Sequence, residues 1–161
     1  MATAPLTHLA KRFVTSLVPG GPSFEAEAWV SAVLSEAELA LWRRMSGPDR
    51  RHAVGVARRV EAALGEQATP PVLAAALLHD VGKVESGLGT LGRVVATVAG
   101  PRTPRLARYR RHPELGAELL RLADSDPLTA AWAEEHHLPP DRWTGTVPPE
   151  VAAALKASDD D

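Results

Sequence analysis

The sequence predicts an all-α protein, a single-domain bundle of about seven or eight helices. Apolar residues make up 45% of the chain and aromatic residues only 4%, so Ala, Leu and Val fill most core positions, which favours packed helices over sheets. No segment shows the alternation of apolar and polar residues that marks a strand. We expect residues 48–161 to form the main domain and residues 1–47 to form a helical extension packed on its core.

The extension is predicted to contain two or three short helices, interrupted by PGGPS at 19–23. The stretch SEAELALWRRM at 35–45 has a clear helical signal, because Ser35 can cap the helix together with Glu38 three residues later. The apolar residues that share its face are Leu39, Trp42 and Met45.

Two helices are predicted in the central part. The first begins at Gly47-Pro48 and ends at Gly65. Its expected apolar stripe consists of His52, Val56, Val60 and Ala63. The second begins at Pro70-Pro71 and carries the run LAAALLHDVGKVES at 73–86. Such an apolar run should be buried, and a buried ionised Asp80 is costly unless it is paired or bound to a cation.

Three further helices are predicted at 113–123, 126–137 and 149–158, with a loop at 138–149. They follow a glycine-containing segment at 87–100. The hexapeptide GLGTLG in that segment matches G-x-G-x-x-G, but it follows a helix rather than a strand, so we do not interpret it as a nucleotide-binding loop.

The composition excludes several classes of protein and site. There is no cysteine, so disulfides, thiolate metal ligands and a cysteine nucleophile are excluded, and any metal must be held by His and carboxylate. No apolar stretch approaches the roughly 20 residues that span a bilayer, and Pro19 cuts short a signal-like run near the start. We therefore expect a cytoplasmic protein with no membrane partner. The net charge of −2 gives no clear nucleic-acid signal.

Histidine and aspartate recur at spacings that suit a metal centre. Five of the six histidines lie in separate predicted helices or at their ends, as do Asp80 and Asp159. A helical bundle directs several ligands at one centre by supplying one or two from each helix. His79 and Asp80 are about 100° apart around a helix, so one ion over that edge can take both.

These residues resemble those of HD-domain metal-dependent phosphohydrolases. His52, His79-Asp80 and Asp159 match the H…HD…D signature, and HDVGK at 79–83 is similar to the H-D-[IV]-G-K form of that family. HPELG at 112–116 and the His136-His137 pair resemble additional elements of the HD-GYP branch and of other binuclear HD proteins. The Gly-Tyr-Pro element itself is absent, since LPPDRWTGTVPPE follows His137.

The resemblance implies a set of roles. His52, His79, Asp80 and Asp159 would hold one divalent ion, with Asp160 as a rival for the last position. His112 and His136 would hold a second ion, with Asp80 as the bridge. Lys83 would contact the substrate phosphate, and His137 would protonate the leaving group or act as a further ligand. Such ligands do not distinguish Mn²⁺, Fe²⁺, Mg²⁺ and Co²⁺.

The Arg-rich stretch 102–112 is either a solvated loop or a rim that grips phosphate, with Arg108 and Arg111 as its candidate substrate contacts. The expected substrate is a small phosphorylated compound, a nucleotide or another phosphate ester or phosphodiester. Two alternatives stay open at this point: a diiron HD-type oxygenase built on the same ligands, and a non-catalytic module that senses a nucleotide.

Overall fold

The computed structural model describes Val18 and residues 20–88 and 104–160, and all regular secondary structure in these ranges is helical. Its α-helices are α1 Phe24–Val33, α2 Glu36–Arg44, α3 Gly47–Leu64, α4 Pro70–Leu78, α5 Pro104–Arg110, α6 His112–Leu122, α7 Pro127–Glu135 and α8 Pro149–Asp160. Short 3-10 helices cover Gly65–Gln67, Val81–Ser86 and Pro140–Arg142. The predicted all-α class is confirmed, and eight α-helices in the described ranges agree with the predicted number.

Helix ends follow the signals in the sequence. Ser35 and Glu38 form the predicted capping box at the start of α2, which satisfies backbone N–H groups that the first turn leaves without partners. Helix α3 ends at Gly65, whose φ of +55° suits glycine because it has no Cβ. Pro70 and Pro71 stand in the first turn of α4, where their missing N–H groups cost nothing.

Helix α4 is the centre of the core. Every residue from Val72 to Leu78 is buried, as expected for a helix that is apolar on all sides. Helices α3 and α7 pack against it, α6 packs against α7, and α8 packs against α3. One expected core position is wrong: Ala63 is exposed, because the face of α3 that packs on the core continues from Val60 to Leu64.

Helices α1 and α2 contribute to the same core through Val30 and Trp42, both completely buried. The indole N–H of Trp42 donates to Glu27 at 2.9 Å, and Arg50 of α3 donates to the same carboxylate at 2.7 Å. The division into residues 1–47 and 48–161 stays a prediction, and residues on both sides of it share one core.

One expectation about the Arg-rich stretch, that it is a loop, is wrong. Residues 104–110 are helical rather than a loop, although Leu106 is the only buried residue in α5. Residues 89–103, which include most of GLGTLG, lie outside the described part, as do residues 1–17. Among the described helices, none combines the length and the apolarity that crossing a membrane requires.

Candidate metal centre

Four helices point their C-terminal ends at one cluster of His and Asp side chains. His79 caps α4 and His136 caps α7, His112 follows the end of α5 by two residues, and Asp159 lies in the last turn of α8. The C-terminal end of a helix carries partial negative charge on its unpaired carbonyls. These C-terminal ends favour a positive charge, whereas the N-terminal end of α6, which begins at His112, has the opposite sign.

Two glycines allow the HD segment to approach helix α6. A Cβ atom on Gly82 would lie 1.9 Å from the carbonyl oxygen of His112, and one on Gly116 would lie 3.1 Å from the backbone nitrogen of Gly82. The first distance leaves no room for a side chain on Gly82, and the second makes any side chain on Gly116 a tight contact. The glycines of HDVGK and HPELG thus meet, and their contact brings His79 and Asp80 alongside His112.

The first set of ligand atoms comes from His52, His79 and Asp159, and we call it the α3–α8 group. Its atoms lie within 4.8 Å of one another. Asp159 Oδ1 is 3.0 Å from His52 Nε2 and 3.5 Å from His79 Nε2. Asp160 does not share this position, because it is exposed and pairs with Lys156 at 3.4 Å.

The second set comes from Asp80, His112, His136 and His137, and we call it the α6–α7 group. These ligand atoms also lie within 4.8 Å of one another. His112 Nε2 is 3.2 Å from Asp80 Oδ1 and 3.1 Å from His137 Nε2, and His136 Nε2 is 3.6 Å from Asp80 Oδ1. His137 is exposed, while the other three residues are buried.

Asp80 lies between the two groups. Its Oδ1 atom faces His112 and His136, whereas its Oδ2 atom is 3.4 Å from His79 Nε2. One carboxylate therefore presents one oxygen to each group. This is the arrangement that a bridging ligand between two ions needs.

Three of the histidines are oriented by the backbone of the helix that precedes them. The Nδ1 atoms of His79, His112 and His136 lie 2.8, 2.7 and 2.9 Å from the carbonyl oxygens of Ala76, Tyr109 and Ala133, respectively. Because a carbonyl only accepts, Nδ1 carries a proton in each of these rings, and a ring that is neutral keeps its lone pair on Nε2. Histidines that ligate metals are commonly held in this way.

The atoms that face the centre lack partners. His79 Nε2, His136 Nε2 and Asp80 Oδ1 are buried and make no hydrogen bond in the described structure. The distances of 3.4 to 3.6 Å between these imidazoles and the carboxylate oxygens are too long for good hydrogen bonds. Buried nitrogen and oxygen atoms without partners are costly, and a divalent cation would satisfy them together. The residues present fit a metal site.

The pKa values show how strongly the α3–α8 group favours positive charge. Burial opposes protonation of His79, but the carboxylates of Asp80 and Asp159 outweigh it and raise its pKa to about 10. Burial likewise opposes ionisation of Asp159, yet His79 and His52 hold the pKa of that carboxyl well below its usual range. A protonated His79 thus carries positive charge at the position where a bound metal ion would carry it.

The α6–α7 group behaves differently. Burial lowers the pKa of His136. Burial of the ring, together with repulsion from His136, lowers the pKa of His137 to about 3, although part of that residue faces solvent. Both imidazoles are therefore neutral near pH 7, with lone pairs available to a metal.

Lys83 reaches the same carboxylate. Its Nζ atom donates to Asp80 Oδ2, and although burial opposes its charge, the Asp80 carboxylate raises its pKa above the usual value. Burial similarly opposes ionisation of Asp80, but Lys83 and His79 hold the pKa of that carboxyl well below its usual range. Arg108 and Arg111 are exposed near the edge of the cluster, and neither forms an ion pair with a carboxylate in the described ranges.

Two supporting contacts were not predicted. Arg59 of α3 donates from Nε and Nη2 to the carbonyl of Ser158, at 3.0 and 2.8 Å, one residue before Asp159. Buried Glu135 accepts from the backbone N–H and the hydroxyl of Thr144, at 3.2 and 2.5 Å, and so holds the loop after His137.

Comparison with protein families identifies the family to which the chain belongs. The model of the HD domain family matches residues 50–160, a span that contains both ligand groups. The chain belongs to the HD domain family, whose members are generally metal-dependent phosphohydrolases. Comparison with curated proteins and with solved structures found no match.

Proposed function

We propose that the protein is a metal-dependent phosphohydrolase that acts on a nucleotide or another phosphate ester or phosphodiester through a binuclear site. The observation that carries this proposal is the set of buried atoms without partners, His79 Nε2, His136 Nε2 and Asp80 Oδ1, on ligand groups that share Asp80. Divalent ions bound there would activate a water molecule and neutralise charge on the phosphoryl oxygens.

The proposed ligands follow the geometry of the two groups. His52, His79 and Asp159 would hold one ion together with Asp80 Oδ2. His112 and His136 would hold the other together with Asp80 Oδ1. The distances between these atoms and their burial support the division. Either ion can be Mn²⁺, Fe²⁺, Mg²⁺ or Co²⁺ on the chemistry of the ligands.

Three cationic side chains would act on the substrate. Lys83 is half-buried and its ammonium points at the Asp80 carboxylate, so a small rotation of its flexible chain would turn it toward a phosphate bound beside Asp80. There it would stabilise the negative charge that grows during hydrolysis. Arg111 directly precedes His112 and Arg108 lies one turn earlier, so both guanidinium groups can form bidentate contacts with phosphate oxygens.

His137 was expected to protonate the leaving group or to act as a further ligand. Its lowered pKa, about 3, describes a neutral imidazole that is hard to protonate, and its Nε2 atom lies 3.1 Å from His112 Nε2. These two observations support the ligand role over the acid role. We therefore propose His137 as an additional ligand of the α6–α7 group.

The test is metal analysis followed by a substrate panel. Purified protein is stripped with a chelator, reloaded with Mn²⁺, Fe²⁺ or Co²⁺, and analysed for bound metal. It is then assayed with p-nitrophenyl phosphate, bis(p-nitrophenyl) phosphate and nucleoside monophosphates. We expect two ions per chain and hydrolysis of at least one substrate. Asp159→Asn should lower both metal content and hydrolysis, whereas the neighbouring Asp160→Asn serves as a matched control.

Protein that binds no divalent ion, or that binds two ions and hydrolyses no phosphate ester, would contradict the proposal. Oxygen consumption by the iron-loaded protein without hydrolysis would instead favour the oxygenase alternative.

A further inference from the structure

The basic residues are unevenly distributed along the chain. The stretch from 86 to 113 contains six arginines and no acidic residue, in a protein whose overall formal charge is −2. The described part of this stretch consists of residues 86–88, helix α5, Arg111 and the start of α6. The positive charge is therefore concentrated between the two segments that carry the ligands Asp80 and His112.

Most arginines elsewhere in the described chain have partners. Those that form hydrogen bonds to carboxylates or carbonyls are Arg44, Arg50, Arg51, Arg58, Arg59 and Arg121. By contrast, no arginine of the α5 region forms an ion pair with a carboxylate among the residues that the structure describes. These exposed arginines are Arg105, Arg108, Arg110 and Arg111.

Three of the four share one face. Arg105, Arg108 and Arg111 are spaced by three residues, so neighbouring side chains along the helix start about 5 to 6 Å apart. Arg108 follows buried Leu106 by two residues, which is about 200° around the helix axis, so the two lie on nearly opposite sides. Arg110 lies outside this row. We call Arg105, Arg108 and Arg111 the arginine stripe. Like charges at this spacing repel one another and destabilise a helix, so the stripe is not explained by stability.

The stripe begins at the metal centre and leads away from it. Arg111 directly precedes His112, and Tyr109 holds the His112 ring by its carbonyl at 2.7 Å. Helix α5 also packs on the 3-10 helix Val81–Ser86, which carries Lys83. From Arg105 to Arg111, the residue that follows α5, the chain rises roughly 9 Å, which is more than one phosphate group can occupy.

We propose that the arginine stripe binds a second phosphate group, so that the substrate is a small molecule with two separated phosphates. This rests on the proposed function, in which the first phosphate lies at the metal centre between Lys83 and Arg111. Arg108 and Arg105 then form charge-assisted, bidentate contacts with the second. A nucleic-acid strand fits less well, because such strands bind to rows of stacking aromatic residues and Tyr109 is the only aromatic residue in α5.

The experiment compares matched pairs of ligands that differ by one phosphate. Mn²⁺-loaded protein is titrated calorimetrically with adenosine 5′-monophosphate and adenosine 3′,5′-bisphosphate, and with fructose 6-phosphate and fructose 1,6-bisphosphate. A single-stranded oligonucleotide is the third arm. Arg105→Ala is the test variant, and Arg110→Ala is the control, since it removes the same charge from the same helix outside the stripe. Metal content is measured in every sample.

We expect at least one bisphosphate to bind about tenfold or more tightly than its monophosphate, the effect of one additional charge-assisted contact. Arg105→Ala should abolish this preference, and Arg110→Ala should retain it at wild-type metal content. A preference in the adenosine pair would identify a nucleoside as the carrier of the phosphates, and a preference in the fructose pair would identify a sugar.

Equal affinity for monophosphates and bisphosphates in both pairs would overturn the proposal. An equal loss of the bisphosphate preference in the Arg105 and Arg110 variants would also overturn it. Tighter, Arg105-dependent binding of the oligonucleotide than of either bisphosphate would replace the small molecule with a nucleic acid. If no phosphate ester is hydrolysed but the Arg105-dependent preference persists, the proposed reaction fails and the phosphate-binding stripe stands.

Discussion

The α3–α8 and α6–α7 groups contain similar residues but are built in different ways. In the α3–α8 group, His52 and Asp159 are 107 residues apart in the chain, and they meet directly at 3.0 Å. In the α6–α7 group, His112 and His136 are each fixed by a carbonyl three residues earlier. In the first group only His79 is fixed in this local way, and the other two residues depend on how two distant helices pack.

The groups also differ in charge. Carboxylates around His79 raise its pKa to about 10, whereas burial keeps His136 and His137 neutral by lowering their pKa values. The α3–α8 group thus favours bound positive charge, whereas the α6–α7 group offers neutral lone pairs. The comparison teaches that one cluster can combine residues that favour positive charge with residues that present preorganised donors.

Replacement of the shared residue should break both groups at once. Asp80→Ala removes the oxygen that each group uses and leaves the Lys83 ammonium without its carboxylate. We expect metal content close to zero and a free energy of unfolding lower by about 3 to 5 kcal/mol, the cost of breaking a buried ion pair. Elemental analysis and urea unfolding measure the two effects. Two ions retained at unchanged stability would show that Asp80 is not the bridge.

Replacements within one group should separate the two sites. Asp159→Ala should remove the ion of the α3–α8 group, and His112→Ala the ion of the α6–α7 group, so each variant should retain about one ion per chain with the fold intact. Because charge favours the α3–α8 group, we expect His112→Ala to retain its single ion more tightly. Calorimetric titration with Mn²⁺ measures both affinities. Loss of both ions in either variant would mean that the groups form one inseparable site.

Lys83→Ala should lower the rate of hydrolysis without loss of metal from either ligand group. Its ammonium contacts a ligand but supplies no lone pair, so metal content should stay near that of the wild type. The value of kcat/KM for the best phosphate ester should fall by about ten- to a thousandfold, as expected for loss of one electrostatic stabiliser. Lys83→Arg should restore only part of this loss, since the planar guanidinium is shaped differently. A wild-type rate for Lys83→Ala would exclude a catalytic role.

The smallest expected effect concerns the packing that holds the α3–α8 group. Arg59→Met removes both hydrogen bonds to the Ser158 carbonyl while keeping a long apolar side chain. We expect about a tenfold loss of affinity for one of the two ions, typical of residues that orient ligands, and a changed visible absorption spectrum of the Co²⁺ form. Arg59→Lys should recover part of both. A fall in stability with an unchanged spectrum would assign Arg59 a purely structural role.

Much of the fold and of the candidate site was predictable, because the signals are local or belong to a recognisable pattern. Proline and glycine marked the ends of α3 and α4, and the ordered set from His52 to Asp159 pointed to an HD domain. Helix α5 was not expected, because Pro104 and five nearby arginines suggested a loop. The helix buries only Leu106, so its sequence shows no apolar stripe. The contact of Arg59 with Ser158 spans 99 residues, so it follows from the packing of α3 on α8 and leaves no local signal.

The carbonyl contacts of His79, His112 and His136 have a thermodynamic consequence for metal uptake. Each ring is oriented by its own preceding helix, so the loss of rotamer freedom occurs when the chain folds and not when an ion arrives. The cation then meets donors that already point at it, and binding needs little further ordering of side chains. Uptake should therefore be accompanied by a small conformational entropy change.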